Sequence, residues 1–373
     1  MEIQKLIDIY LQKTLKKNRN YFFVFFIFIL TAFSISCANF DSNPDPTPTN
    51  IPFSKEADRV LSLSISPDFY SDKTIFAGTE KAGIFRSTDS GITWKQTNNG
   101  ITDNDVLTTV VSPNFKNDKT IFAGTRSAGI FISRNRGDSW ENISQGLGTK
   151  NIPTLTVISS NNDLWIFAGS TIGGIYKSTN SGITWKSSGL PDSNIMVTVP
   201  SPHFTDDLTI ITGSGRDGIY ISKDGGSNWE SSNTGLGDKF ILSLAVSPDF
   251  SNDNTIFAGT KWDGVYRSVD KGKSWMKASS GTISKRIQAL AISPVYSDDP
   301  KIFCGTVSGG IFISNNQGQS WDPISQGLNA INTIAISPTF SSDEILFAGS
   351  DNGLILRSKD GGKNWEESIL SGK

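Results

Sequence analysis

Seven tryptophans set the architecture of this chain. Trp94, Trp140, Trp185, Trp229, Trp275, Trp321 and Trp365 follow one another at intervals of 46, 45, 44, 46, 46 and 44 residues. Each closes the pattern Ser-x-Asp/Asn-x-Gly-x-Thr/Ser/Asn-Trp, in which the third residue is Asp89, Asn135, Asn180, Asp224, Asp270, Asn316 or Asp360. A second signature, such as Ala77-Gly78-Thr79 or Ala258-Gly259-Thr260, begins 17 residues before the Trp in all seven copies. A period held this closely means one structural unit used seven times.

Within a unit four short runs read as strands. In the first copy they are residues 60–66, 74–79, 83–87 and 92–96, apolar or β-branched and bounded by turn residues. Ser66-Pro67-Asp68-Phe69 makes the first turn, because proline cannot continue a central strand. The Ser-x-Asp box makes the last one: its Asp or Asn can accept from backbone amides, its Gly supplies a positive φ, and its Trp covers the turn. Four strands per 44–46 residues, repeated radially, make a propeller blade. The fold expected is therefore all-β, a seven-bladed β-propeller of four-stranded antiparallel blades over residues 57–373. If residues 52–57 add no strand to blade 7, the ring closes through side chains alone.

The box resembles that of the Asp-box (BNR-repeat) propeller superfamily, across residues 57–373. That superfamily includes sialidases, xyloglucan-active glycosidases, sortilin-type receptors and photosystem II assembly-factor propellers. The resemblance implies blade architecture and says little about activity. Asn replaces Asp in three of seven boxes, which marks these positions as turn formers rather than acids. Sialidase chemistry further implies six blades, a Phe/Tyr-Arg-Ile-Pro signature, an Arg cluster and a Tyr nucleophile. The signature is missing here, and Tyr176, Tyr220 and Tyr266 fall at the third-strand position held elsewhere by Phe85, Phe131 and Phe312, so they read as core.

Ahead of the repeats, Lys13, Lys16, Lys17 and Arg19 precede an apolar run over residues 21–33. It is shorter than the ~20 residues a membrane-crossing helix needs and fits a secretory signal. Ser34-Ile35-Ser36-Cys37 resembles a bacterial lipobox, with Ser34 where Leu is usual; Cys37 is then the lipidated residue. Cleavage after Ala38 is the competing reading. Residues 1–37 are thus a signal sequence with a lipobox, and residues 38–56 a Pro-rich spacer. The expected location is the cell envelope or surface, otherwise the medium.

Beyond residue 37 the chain keeps 29 Lys and Arg against 34 Asp and Glu, a balance that gives no general attraction for nucleic acid. One His, His203, and two Cys provide little for a His/Cys metal centre or a His-based triad, and the residues imply no cofactor. Cys304 stands where other copies have Ala, a small buried position. Asp68, Asp72, Asp249, Asp253, Asp298 and Asp299 cluster at the first turns, where capping a turn explains them better than holding a cation.

In such a ring the loops between strands 2 and 3, and between one blade's strand 4 and the next blade's strand 1, open on one face. The fixed interval of 17 residues leaves no room for an insertion in any 2–3 loop, unlike the long loops of catalytic clefts. The loop sequences nevertheless diverge. Lys261, Trp262 and Asp263 on blade 5, Arg216 and Asp217 on blade 4, Arg126 on blade 2, and Lys285 and Arg286 after blade 5 are the candidate ligand-binding residues, with Lys239 beside them. An aromatic flanked by cations suits a sugar ring or a protein contact. Asp217 and Asp263 are the one carboxyl pair to nominate for a glycosidase. The expectation is a monomeric, non-catalytic platform for a protein or carbohydrate. The alternatives are a glycoside hydrolase of sialidase-like or xyloglucanase-like type, and an assembly factor for a membrane complex.

Overall fold

In a computed structural model, the described residues are 58–160, 163–280, 284–308, 310–325 and 329–370. The expected signal sequence, Cys37 and the expected spacer lie outside them, as do residues 52–57. All described residues belong to the compact unit Lys55–Lys373.

They form seven four-stranded antiparallel sheets, each with its strands in chain order. In blade 1 the strands are Val60–Ile65, Ile75–Thr79, Ile84–Ser87 and Lys95–Gln96. First strands pack blade to blade in chain order, and Val60–Ile65 also packs on Ile331–Ile336 of blade 7. The chain is a seven-bladed β-propeller. Phe76, Phe122, Phe167, Phe257, Phe303 and Phe347 occupy one second-strand position, fully buried between blades, which is how a blade hides a face it could not bury alone.

The fourth strand is shorter than its sequence run, because Ile92 and Thr93 are taken up by the box. Their backbone amides donate to Asp89 Oδ1 at 3.1 and 2.9 Å, and Gly91, at φ 78°, donates its amide to Ser87 Oγ at 2.8 Å. In the Asn boxes Oδ1 keeps the acceptor role while Nδ2 donates to a hydroxyl, as from Asn135 to Ser139 Oγ at 2.8 Å. Amide and carboxylate are thus interchangeable here for a visible reason. Five first turns, beginning with Phe69–Asp72, tighten into a single helical turn. In blade 3 the strands Thr154–Ser160 and Asp163–Gly169 are longer and pair as far as Ser160 with Asp163.

Each Trp does more than cover its own turn. The indole N–H of Trp140 donates to the Thr97 carbonyl of blade 1 at 2.7 Å. Trp185, Trp229, Trp275 and Trp321 likewise reach Ile143, Ser188, Ser232 and Ala278, always three residues past the preceding Trp. Trp365 finds no acceptor. Its counterpart residue, Ile324, lies in a register shift beside Pro323, which has no N–H to continue the ladder.

The ring closes without an added strand among the described residues. Asn332 Nδ2 donates to the Val60 carbonyl at 3.1 Å, Arg59 pairs with Asp351 at 2.7 Å, and Val60, Phe69, Phe347 and Ile355 share one apolar cluster.

Candidate functional site

The loops of the 2–3/4–1 face are short and pinned. Gly83, Gly129, Gly218 and Gly264 donate their amides to the carbonyls of Asn104, Lys150, Lys239 and Lys285 in the next interblade loop, at 2.8–3.0 Å. A second clasp ties the loop tips. Asp238 Oδ2 accepts the Trp262 amide at 2.7 Å, and Asp103 and Asp58 accept those of Ser127 and Lys81 at the same distance. Sequence reasoning passed over these aspartates; their signal is a carboxylate 23 or 24 residues ahead of each loop tip.

On this framework blade 5 carries an ordered stack. The Lys261 ammonium lies 4.2 Å from the Phe240 ring centroid and 4.7 Å from that of Trp262. Cation–π contact with two rings holds the aliphatic stem and both aromatics together. Trp262 is 63% exposed although its backbone is fixed. Exposure of so large an apolar side chain on a rigid loop leaves burial energy available to a partner.

The neighbouring carboxylates are already engaged. Asp263 accepts from the Lys277 ammonium and the Tyr266 hydroxyl, and Tyr266 Oη also accepts the Gly237 amide at 3.0 Å. Burial opposes ionisation of Asp263, but these bonds outweigh it and hold the carboxyl below its ordinary range. Burial, followed by the bond to Asp263, pushes Tyr266 up to about 12. A carboxyl ionised this firmly is unsuited to protonating a leaving group. Asp217 faces Arg216 at 3.2 Å, and the Arg216 guanidinium also reaches the Asp192 carbonyl at 3.3 Å.

The candidate residues do not form one cluster. Lys261, Trp262, Asp263 and Lys285 meet on blade 5 and the loop leaving it, Lys285 acting on Asp263 through space. Arg286 turns its Nε toward Gln288 at 3.4 Å. Arg126 belongs to blade 2, separated from blade 5 by blades 3 and 4, and pairs with Asp105; that bond and nearby carboxylates raise its pKa. Lys239, Lys261 and Lys285 form no ion pair among the described residues.

The other features noted in the sequence serve the fold. Asp72 accepts from Ser66 Oγ and the Thr74 amide, and Asp253 repeats the arrangement with Ser247 and Thr255. No group of three metal-ligating side chains occurs among the described residues. His203 stands exposed at the start of a helical turn without capping it through its side chain, and Cys304 is fully buried. A groove of about 540 Å³ between blades 3 and 4 is lined by Lys177, Asn180, Lys186 and Ser188. Lys177 there is a clasp, donating to the Gly225 carbonyl at 2.7 Å and standing over the Trp165 ring at 4.1 Å.

Comparison with known proteins agrees with this architecture. The family model of sortilin, neurotensin receptor 3, matches residues 82–197, from the third strand of blade 1 into the first strand of blade 4. No curated protein matches the chain. Among solved structures it is similar to the GH74 enzyme of Niastella koreensis, at 20% identity and a TM-score of 0.65 over 82% of this chain and 53% of that one. An ancestral GH74 enzyme gives 18% identity and 0.67 over 84% and 46%. The GH74 xyloglucanase of Xanthomonas campestris gives 14% and 0.65 over 84% and 55%. This chain spans about half the length of those enzymes, and at such identities the likeness is one of fold. Repeat, blade and neighbours agree that the chain is a β-propeller.

Proposed function

We propose that this protein is an exported, lipid-anchored propeller that recognises a partner on its 2–3/4–1 face and does no chemistry on it. The observation that carries the reading is the pinned, outward-facing Trp262 amid carboxylates committed to cations. Asp217 and Asp263, the pair a glycosidase reading needs, are each occupied by a basic side chain. A binding surface gains from preorganised loops, since less ordering entropy is lost on association. The basic n-region, the short apolar run and Cys37 support export and anchoring.

Two measurements test this. Metabolic labelling with a clickable fatty acid is expected to mark the wild type and not Cys37→Ala; equal labelling defeats the anchor. A benzophenone side chain at position 262, which inserts into C–H bonds of protein or sugar, is expected to capture a ligand on intact cells. The same group at position 92, on the Asp-box face, should not. Capture from position 92 alone would place recognition on the other face.

A further inference from the structure

We propose that the Phe240–Lys261–Trp262 stack binds an acidic polysaccharide, with a pyranose ring lying on Trp262 and the ammonium groups of Lys239, Lys261 and Lys285 receiving its carboxylate or sulfate groups. This rests on reading the face as a recognition surface, and it names the ligand.

Three observations lead there. First, the indole is flat, exposed and fixed: its loop is bonded to Asp238, and Lys261 braces the ring from one side. An aromatic face carries negative potential and attracts the weakly positive C–H groups on one side of a pyranose. Second, the charge around it is mostly positive once ion pairs are counted. Asp263 is ion-paired with Lys277 and Asp217 with Arg216, whereas Asp238, bonded to the Trp262 and Phe240 amides, keeps its charge, so that Lys239, Lys261 and Lys285 stand against one carboxylate without an ion pair. Lys239, Lys261 and Lys285 have no carboxylate partner among the described residues. This excess of ammonium groups beside one aromatic ring favours anionic groups on the ligand. Third, the lysines come from two interblade loops bonded to consecutive blades, Lys239 to Gly218 of blade 4 and Lys285 to Gly264 of blade 5. These bonds run to backbone carbonyls and hold Lys239 and Lys285 on the two loops that border the Trp262 loop, so that their side chains start from either side of it.

A protein partner fits less well. A stable protein interface buries roughly 800 Å² on each side around an apolar centre. Among the described residues of this face the exposed large apolar side chains are Trp262 and Ile172, on blades 5 and 3 with blade 4 between them. A lone aromatic amid cations suits a charged sugar chain better.

The test uses the purified full-length protein and three immobilised glycans: polygalacturonate, chondroitin sulfate and neutral xyloglucan. Binding to the two acidic polymers is expected to exceed that to xyloglucan by at least about tenfold, and to weaken as salt rises. Trp262→Ala should lose about tenfold or more on both, and Trp262→Phe should recover part of it. Lys239→Gln with Lys285→Gln should weaken acidic glycans and reduce the salt dependence. Xyloglucan bound as tightly as polygalacturonate, or an unaffected lysine double variant, overturns anionic selection. Acidic-glycan binding retained by Trp262→Ala overturns the site. Silence on all three glycans, with a protein captured from position 262, overturns the ligand class and leaves recognition standing. Silence with no capture overturns both.

Discussion

The indole N–H of Trp94 donates to Ser368 Oγ at 3.0 Å, joining blade 1 to blade 7 across a sequence separation of 274. The residue three past Trp365 thus does for blade 1 what Thr97 does for blade 2, with a side-chain oxygen in place of a carbonyl. Six of the seven box tryptophans are partnered in this way, and Trp365 is the exception. Trp275→Phe removes the donor to the Ser232 carbonyl and should cost about 1–3 kcal/mol. Trp365→Phe removes a donor with nothing to lose and should cost distinctly less. Urea unfolding midpoints of the two variants check this, and equal losses would contradict the account of the clasp.

Beneath the exposed stack, Tyr266 is tied to Asp263 and to the Gly237 amide. In Asp263→Asn the negative acceptor is gone, so Tyr266 should titrate below about 12 and closer to the usual tyrosine value of about 10. Ultraviolet titration should then count one more ionised tyrosine near pH 11. Gly237→Ala meets the same clasp sterically, since its Cβ would stand 2.5 Å from Tyr266 Oη and 2.8 Å from Asp263 Oδ2. A loss of about 1–3 kcal/mol is expected. An unchanged tyrosine count in Asp263→Asn would show that burial alone raises Tyr266.

The Asp boxes make the ring acid-sensitive in a defined window. Backbone amide bonds, led by that of Asn228, hold Asp224 at about 2, and Asn364 does the same for Asp360. A carboxylate with a depressed folded-state pKa stabilises the fold fully above its unfolded value near 4, and that contribution is lost as pH falls toward 2. Thermal midpoints should therefore hold from pH 7 to about 4 and drop below it. In Asp224→Asn with Asp360→Asn the drop should be shallower, because an amide keeps the acceptor oxygen and does not titrate, as in the box of Asn135. Superimposable pH profiles for wild type and double variant would refute this.

Cys304 sits fully buried on the second strand of blade 6, and burial pushes its thiol well above the ordinary range. In a Cys37→Ala background, alkylation should wait for unfolding and follow denaturant with the same midpoint as tryptophan fluorescence. Rapid labelling of the folded protein would mean that blade 6 opens locally.

The blades were legible in the sequence because a box is local chemistry: Ser87, Asp89 and Gly91 satisfy one another within four residues. Its repetition fixes strand number and order before any packing is known. Interblade contacts were less legible. The acceptor of each indole N–H lies one blade back, and nothing about Thr97 or Ser232 on its own marks it as a partner. Pro323 was visible, but its effect, a register shift that leaves Trp365 unpaired, needed the neighbouring blade. At the candidate site the exposed Trp262 was readable from its absence from the blade pattern. Which charges cancel was not, because Asp263 is neutralised by Lys277, a fourth-strand residue 14 positions away. Arg126, grouped with that sector on sign and loop position, has two whole blades between it and Trp262 and is paired.

Closure through Asn332, Asp351 and Ser368 has a consequence for the order in which the molecule is made. During synthesis blade 1 emerges first and blade 7 last, so the earliest strands wait for the latest. Until blade 7 arrives, the Trp94 indole and the Val60 carbonyl have water for a partner, and the apolar side of blade 1 that Phe347 will cover stays open. Each intermediate with six blades or fewer has two such raw ends. Maturation is thus a single late event, and a nascent chain needs protection at its oldest blade for as long as its youngest is unfinished.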